Sequence, residues 1–433
     1  MCGPDRAAGT FAAGLEQART GRRALLSAGA GGLLLSSLPG AASASARRRP
    51  RHRKRAYVLV VDGCRPDEID ALLTPNLHAL RERGLHLPRA ASLPVMETIP
   101  NHVMMMTGVR PDRSGVPANA IHDRELGKVR TMDRPTDIAA PTVIGRLNRH
   151  GLTTGTVLSK EYLYGVFGTR ATHRWEPAPV VPVSGHAPDR FTMDAALAMV
   201  DELDPDFMFV ILGDVDRFGH ADLTGTTLRL QRRVALADTD RQVGRFVDML
   251  RATGRWRHSM LLVLADHSMD WSTPEKVVSL QAPMDADPLL AGRVRIADNG
   301  GADLLYWTGP ARDRDRAVDR MRAIAHDHEG VLAAHDRREP SLRLGPEAGD
   351  VVAYCHAGWR FSDPDPVTDN PIPGNHGHPA TRPIPFFVTG GHPRVPRGVT
   401  DRARAHTIDV APTVASFLGV GAPRGGWDGH TRL

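Results

Sequence analysis

Thr98 lies in an unusual stretch of the sequence, METIPNHVMMMTG (residues 96–108). A hydroxyl, a proline and an amide follow its first methionine, and three consecutive methionines come after them. One interpretation is structural: Thr98 caps a helix, Pro100 occupies its first turn and the methionines pack in the core. The other is chemical: Thr98 is a nucleophile at the positive end of a helix, where an anion is stabilised. The choice depends on which reactive side chains accompany it.

Carboxylates and imidazoles follow three apolar runs that are typical of buried strands. Asp62 follows VLVV, Asp216 and His220 lie in GDVDRFGH after FVIL, and Asp266 and His267 follow LLVLA. In open α/β sheets, ligand sites gather beyond the carboxyl ends of the strands, so we expect these side chains to converge at one edge. Mixed aspartate and histidine sets suit zinc, which accepts both nitrogen and oxygen ligands.

A Pro- and Asp-rich loop over residues 360–379 contributes His376 within Asn-His-Gly, and its length is one usually associated with function. Each motif is weak alone, because an aspartate at a strand end is commonly a turn residue or a helix cap. The order of the motifs is the specific signal: Asp-Gly, Thr-x-Pro-Asn-His, Asp-x-x-Gly-His, Asp-His and Asn-His-Gly. This order favours the chemical role for Thr98.

Strand-like and helix-like segments alternate along the chain. Segments such as 228–254 have apolar residues at helical spacing. The alternation predicts an α/β fold with a doubly wound, largely parallel sheet flanked by helices. Residues 272–350 are rich in arginine and proline and predict a smaller α+β insertion. The runs expected to form buried strands are AYVLVVDG (56–63), FMFVILGD (207–214), MLLVLADH (260–267) and PIPFFVTGG (383–391).

Residues 1–46 have the features of an export signal. Arg22 and Arg23 precede a modest apolar run, and small residues suited to signal peptidase follow it. The run is too short and too diluted by glycine for a stable membrane span. This segment resembles a twin-arginine (Tat) signal. It predicts that the Tat export machinery carries the protein out, to be secreted or to lie outside the cytoplasmic membrane.

The basic composition is confined to the beginning of the chain. The net charge is +6, and residues 1–55 contribute +9, most of it in RRRPRHRKR (47–55), so residues 56–433 have a net charge of −3. We therefore predict a basic flexible segment over 47–55, a catalytic domain over 56–433 and no specific nucleic-acid partner. Beyond the signal, Cys64 and Cys355 are too few for a disulfide scaffold. The sequence leaves open whether the two pair, and a buried free thiol is expected for Cys64.

Together, these motifs resemble the alkaline phosphatase superfamily, and within it the nucleotide pyrophosphatase/phosphodiesterase (type I phosphodiesterase) family. The resemblance runs from Tyr57 to the closing HTIDVAPTVASFLGV, which is similar to the superfamily's terminal helix. It implies an alkaline phosphatase-like fold and two Zn²⁺, or other divalent ions, on two ligand sets. The first set is Asp216, His220 and His376, and the second is Asp62, Thr98, Asp266 and His267.

The resemblance also implies the chemistry. Thr98 attacks phosphorus and forms a phospho-threonine intermediate, and Asn101 holds a phosphoryl oxygen. Asn119 lies in the loop that matches the family's post-nucleophile loop and is a second candidate for substrate binding. The implied protein is an exported hydrolase of phosphodiester or pyrophosphate bonds, acting on a small phosphodiester or nucleotide-like substrate.

Several alternatives stay open. Phosphonate hydrolases of the same superfamily share the threonine and both metals, and a phosphomonoesterase is a further alternative. A non-catalytic metal-binding relative would lack a ligand or Thr98, and none is missing. A sulfatase would need a cysteine or serine in Cys/Ser-x-Pro-x-Arg, which TIPNH does not supply. The aromatic residues that either stack on a nucleobase or pack in the core are Tyr162, Tyr164, Phe167 and Trp175.

Overall fold

The described part of the chain begins within the basic segment. The signal predicted over 1–46 lies outside it. Arg53 and Arg55, at the end of the segment predicted to be flexible, contact the folded body: Arg53 Nε lies 2.7 Å from Asp206 Oδ1 and Arg55 Nη2 lies 2.6 Å from Asp204 Oδ2. None of the helices in the described ranges combines the length and apolar character that a bilayer span requires. The computed structural model describes residues 53–178, 185–222, 229–364 and 373–433.

Eight strands form the central sheet. They are β1 (Arg55–Val61), β2 (Leu85–His86), β6 (Thr154–Val157), β7 (His173–Trp175), β8 (Phe207–Leu212), β9 (Ser259–Leu264), β18 (Phe386–Thr389) and β19 (Val399–Thr400). Their order across the sheet is β19-β2-β18-β9-β1-β8-β6-β7. Every residue of β1, β8 and β9 is buried, as expected for strands covered on both faces.

The strands β7, β6, β8, β1 and β9 are parallel, and their carboxyl ends therefore meet at one edge. Val61 is paired with Leu212 of β8, and Val60 is paired with Leu264 of β9. The fourth predicted strand, β18, is buried as expected but runs antiparallel to β9. The register brings the residues that follow β1, β8 and β9 to neighbouring positions.

Helices flank the sheet, which confirms the predicted α/β fold class. The long helix α8 (Leu230–Ala252) buries Leu236, Val243 and Leu250, spaced by seven residues. It packs against α1 (Pro75–Arg83), α6 (Asp189–Ala198) and α7 (Asp214–His220). The α-helices of the described ranges are α1 (Pro75–Arg83), α2 (Thr98–Thr107), α3 (Pro111–Ser114), α4 (Val143–Arg149), α5 (Glu161–Phe167), α6 (Asp189–Ala198), α7 (Asp214–His220), α8 (Leu230–Ala252), α9 (Gln281–Ala286), α10 (Arg314–His326) and α11 (Val410–Leu418).

A second, antiparallel sheet lies largely inside the region predicted as an insertion. Its order is β12-β13-β15-β14, and together with α9 and α10 it has an apolar core of its own. The strands are β12 (Val294–Asn299), β13 (Ala302–Trp307), β14 (Val331–Asp336) and β15 (Val351–Cys355). A domain boundary near 272 and 350 stays a prediction.

Short strand pairs complete the described structure. The two cysteines within it are buried and free, as predicted for Cys64, and they therefore do not pair with each other. The short pairs are β3 (Ala90–Ala91) with β20 (Ala405–His406), β4 (Ala120–Asp123) with β5 (Lys128–Thr131), β10 (Asp270–Trp271) with β17 (Gly374–Asn375), and β11 (Val277–Val278) with β16 (Arg360–Phe361).

Candidate active site

Thr98 is the first residue of α2 and is 1% exposed. Glu97, not Thr98, occupies the cap position, with no side-chain capping hydrogen bond. The Thr98 hydroxyl oxygen instead lies 3.2 Å from His267 Nε2. The capping interpretation of Thr98 is therefore wrong, and its hydroxyl is directed at one of the predicted metal ligands.

The second predicted ligand set converges on this hydroxyl. His267 Nε2 lies 3.6 Å from Asp62 Oδ1 and 3.5 Å from Asp266 Oδ2. Asp62, Asp266 and His267 are fully buried at the carboxyl ends of β1 and β9. His102, one turn after Thr98, joins them with Nδ1 3.5 Å from Asp266 Oδ2. Sequence reasoning assigned His102 no role.

The first predicted ligand set is assembled from α7 and the loop after β17. Asp216 and His220 are one helical turn apart, with His220 Nε2 3.4 Å from Asp216 Oδ1. The other ring nitrogen of His220 lies 2.8 Å from the Gly374 carbonyl oxygen, which fixes the ring. The His376 ring stacks on the His267 ring with centroids 3.8 Å apart, so the two sets are adjacent.

Lys160, which sequence reasoning missed, connects the two sets. It follows β6, and its ammonium lies 2.8 Å from Asp62 Oδ2 and 2.7 Å from Asp216 Oδ2. The other oxygen of each carboxylate faces a histidine of its own set. A polar residue beyond the end of a parallel strand is the signal that identified the aspartates. Applied to TGTVLSK, the same signal would have identified Lys160.

Electrostatics favour the metal-binding forms of the first set. Burial lowers the pKa of His376 well below its usual value, and the rings of His267 and His220 lower it further. Burial acts to raise the pKa of Asp216, but the Lys160 ammonium and His220 outweigh it and hold that pKa well below its usual range. Neutral imidazole and ionised carboxylate are the forms that bind metals.

Asp62 has the opposite shift. Burial and the nearby Asp266 carboxylate raise the pKa of Asp62 to about 7, although Lys160 acts in the other direction. A cation beside Asp62 would favour its ionised form.

Apart from Asp62 Oδ2, which is paired with the Lys160 ammonium, four buried ligand atoms have no hydrogen-bond partner among the described residues: Asp62 Oδ1, Asp216 Oδ1, Asp266 Oδ2 and His376 Nδ1. Most buried polar atoms in proteins are hydrogen-bonded, so such a concentration calls for an explanation. Carboxylate oxygens and imidazole nitrogens are zinc ligands. The residues present therefore fit two divalent cations, one in each set.

Asn101 does not reach this group. Its Nδ2 donates to the backbone carbonyl oxygens of Leu93, Val95 and Glu97 at 3.1–3.2 Å. Its Oδ1 accepts from Leu93 N at 3.1 Å and from the Thr407 hydroxyl at 2.9 Å. Asn101 is fully buried and its amide is occupied by the chain that precedes Thr98. This contradicts the prediction that Asn101 holds a phosphoryl oxygen.

The side chain of Asn119, the second predicted substrate residue, lies beside the first turn of α2. Its Oδ1 accepts from Ile99 N at 2.8 Å, and its own backbone N–H donates to Glu97 Oε2 at 2.7 Å. Among the described residues, Asn119 Nδ2 has no hydrogen-bond acceptor. The side chain is thus anchored beside Thr98, and its Nδ2 group is free to donate to a substrate.

The four aromatic candidates differ in burial and in the groups that lie near them. Phe167 is buried and packs against Phe209 with ring centroids 5.5 Å apart, so it belongs to the core. Tyr164 and Trp175 also pack against the core. Tyr162 is half-buried and likewise packs against the core, and the Lys160 ammonium lies 5.9 Å from its ring centroid.

Comparison with known proteins points to one family. The family described as type I phosphodiesterase/nucleotide pyrophosphatase matches residues 56–379. Human ectonucleotide pyrophosphatase/phosphodiesterase family member 5 is 23% identical over 342 residues, which cover 75% of this chain and 66% of the human protein.

Solved structures of known proteins share the fold of this chain. Murine ectonucleotide pyrophosphatase/phosphodiesterase 5, known also as an inactive Thr-to-Ala variant in complex with AMP, has a TM-score of 0.70 at 19% identity. That match covers 86% of this chain and 96% of the murine one. Phosphonoacetate hydrolase from Sinorhizobium meliloti, in complex with phosphonoformate, has a TM-score of 0.66 at 20% identity and covers 86% and 98%.

Proposed function

Because this chain belongs to the type I phosphodiesterase/nucleotide pyrophosphatase family, we propose that it hydrolyses phosphodiester or pyrophosphate bonds of small nucleotide-like substrates with Thr98 as nucleophile. Membership confirms the predicted family and hydrolase class, and the structural neighbours confirm the alkaline phosphatase-like fold. The observation that carries the proposal is the Thr98 hydroxyl, 3.2 Å from His267 and next to both ligand sets.

Two zinc ions are proposed as cofactors, with other divalent ions as substitutes. Asp216, His220 and His376 would hold one, and Asp62, Thr98, Asp266 and His267 the other. When bound, the ions would favour ionisation of the Thr98 hydroxyl and offset charge on the phosphoryl oxygens.

The chain's own residues account for the two displacement steps. The Thr98 oxygen bonds to phosphorus as the bond to the leaving oxygen breaks, which leaves a phospho-threonine ester. Water then attacks the same phosphorus, and the bond to Thr98 breaks to regenerate the hydroxyl. Asn119 Nδ2 is positioned to donate to a phosphoryl oxygen, and the amino end of α2 favours the same negative charge. The Lys160 ammonium adds positive charge.

Nucleotide-like substrates are favoured by the murine relative, whose structure is known with AMP. The phosphonoacetate hydrolase neighbour makes phosphonate hydrolysis the second candidate. A panel on the zinc-loaded protein distinguishes them: an aryl ester of a nucleoside monophosphate, an aryl phosphate monoester and phosphonoacetate. We expect the highest kcat/KM on the diester. A higher value on phosphonoacetate would assign the second function instead.

The ligand assignment predicts a change in metal content. Asp216→Asn combined with His376→Gln should bind one zinc fewer per chain than the wild type. Asp62→Asn combined with His267→Gln should also bind one fewer, because each pair removes ligands from one set only. Elemental analysis after zinc loading and desalting measures both differences.

His122→Gln is the matched control, since His122 is buried but packs against Tyr306, with ring centroids 5.5 Å apart, instead of either ligand set. Its zinc content should equal that of the wild type. Unchanged zinc in both double variants would remove the basis of the two-ion assignment.

Export by the Tat route is proposed from Arg22 and Arg23, which lie outside the described residues. Replacing both with lysine should retain the protein in the cytoplasm of the producing cell, because the twin arginines are the recognised feature of such signals. Immunoblots of cytoplasmic and exported fractions measure the effect, with Arg6→Lys as control. Unchanged export of the doubly substituted protein would contradict the route.

A further inference from the structure

A third cluster of ligand-type side chains lies outside both catalytic sets. His186, Asp189 and Asp214 each offer one ligand atom, and these atoms lie within 4.8 Å of one another. His186 is 1% exposed, Asp189 is fully buried and Asp214 is 6% exposed. From this geometry we infer a third binding site for a divalent cation of the zinc type, held by His186, Asp189 and Asp214.

The two carboxylates are fixed by the backbone. Asp189 N donates to Asp214 Oδ2 at 2.9 Å, and Asp214 N donates to Asp189 Oδ1 at 3.1 Å, so each aspartate caps the helix of the other. The Thr239 hydroxyl donates to Asp189 Oδ2 at 2.5 Å. Within the described ranges, Asp214 Oδ1 has no hydrogen-bond partner. The carboxylates are therefore held close together with one oxygen directed away from these bonds.

The histidine supplies a second, independent observation. Neither ring nitrogen of His186 has a hydrogen-bond partner among the described residues, although the side chain is buried. His186 Nε2 lies 3.2 Å from Asp214 Oδ1, but the two atoms are not aligned for a hydrogen bond. Two ligands about 2.1 Å from one ion at tetrahedral or octahedral angles lie about 3.0–3.4 Å apart. The observed separation falls within this range.

The same combination recurs at the candidate active site. There, Asp216 Oδ1 lacks a hydrogen-bond partner in the described part of the chain and lies 3.4 Å from His220 Nε2. Asp266 Oδ2 also lacks one and lies 3.5 Å from His267 Nε2. The third cluster thus repeats the geometry of the two sets that family membership associates with metals.

Charge and space also fit a cation. Across the described ranges, no lysine or arginine forms an ion pair with Asp189 or Asp214. Gly213 makes room for the ring: a Cβ there would lie 2.7 Å from His186 Cδ2, 2.9 Å from Nε2 and 3.0 Å from Ser159 Oγ. Ser159 Oγ is itself buried, has no hydrogen-bond partner among the residues that the structure describes, and is available as a further oxygen ligand.

The position of the site indicates the structural effect that a bound ion would have. Asp214 is the first residue of α7, which carries Asp216 and His220 of the first catalytic set. His186 lies on a segment tied to the end of β6, since Ala187 N donates to Ser159 O at 2.8 Å. A cation here would join the ends of β6 and β8 to the start of α6, behind that set, and thereby hold α7 in place.

Metal counting on the full chain tests the site. Stripped protein, reloaded with Zn²⁺ and desalted, should contain three ions per chain. His186→Gln combined with Asp189→Asn should contain two, and the control His122→Gln should contain three. Circular dichroism and melting curves establish that the variants are folded.

Zinc-edge anomalous scattering from wild-type crystals makes the test independent of variant folding. A peak bounded by His186 Nε2, Asp189 and Asp214 Oδ1 is expected. Two ions at the catalytic sets and no peak here would overturn the third site and leave the proposed function intact. Absence of ions from the catalytic sets would instead count against the proposed function.

Discussion

Thr98→Ala is expected to lower turnover of an aryl phosphodiester by about 10,000-fold or more, as removal of a covalent nucleophile commonly does. The fold should persist, because Thr98 provides no capping hydrogen bond and the loss is one hydroxyl. Zinc content should also persist, because the remaining ligands come from β1, β9 and the other set. Turnover, melting temperature and elemental analysis on one preparation measure all three properties.

Two further variants test whether a loss of turnover in Thr98→Ala is due to the missing hydroxyl. Thr98→Ser should retain part of the rate, because a primary hydroxyl can still attack phosphorus. Thr107→Ala is the matched control: this buried threonine lies in the same helix and donates to Val103 O at 2.8 Å, away from the ligand sets. It should cost about 1 kcal/mol of stability and little turnover. Near-normal turnover of Thr98→Ala would contradict the mechanism.

The strand-end aspartates could be predicted because geometry leaves them little freedom. Asp62 and Asp266 follow apolar runs, and the carboxyl ends of neighbouring parallel strands must share an edge of the sheet. The direction of β18 could not be predicted in this way, since a buried apolar run is compatible with a parallel or an antiparallel neighbour. Periodicity identifies burial and leaves pairing undetermined.

The two asparagines show where sequence reasoning stopped. The resemblance to the family implied that Asn101, three residues after Thr98, holds a phosphoryl oxygen. The Asn101 side-chain amide instead donates to the backbone carbonyl oxygens of Leu93, Val95 and Glu97. These contacts depend on how the chain folds before Thr98, which sequence spacing does not reveal. Lys160 was missed for a related reason, because its partners become neighbours only when the sheet forms.

Asn119→Ala is therefore expected to lower kcat by about 100- to 1,000-fold, the usual cost of losing one donor to a developing negative charge. The lost bond to Ile99 N should cost only about 1 kcal/mol of stability. Asn119→Asp sharpens the test, since it keeps an acceptor for Ile99 N but has no amide donor. It should lose at least as much turnover as alanine while keeping the melting temperature.

Asn101→Ala is the matched comparison, and its expected effects are reversed. Removing the amide leaves the buried carbonyl oxygens of Leu93 and Val95 without this donor, at a cost of about 3 kcal/mol or more. The Glu97 carbonyl oxygen loses the same donor but keeps the backbone N–H of residue 101, at 3.3 Å. The melting temperature should fall by several degrees, whereas kcat per folded molecule, measured well below that temperature, should change far less than in Asn119→Ala. A stable Asn101→Ala with a 100-fold lower kcat, beside an active Asn119→Ala, would return the phosphoryl contact to Asn101. The structure favours the opposite outcome. Of these two asparagines, it is Asn119 that has an anchored side chain beside Thr98 and an amide donor that no described residue accepts.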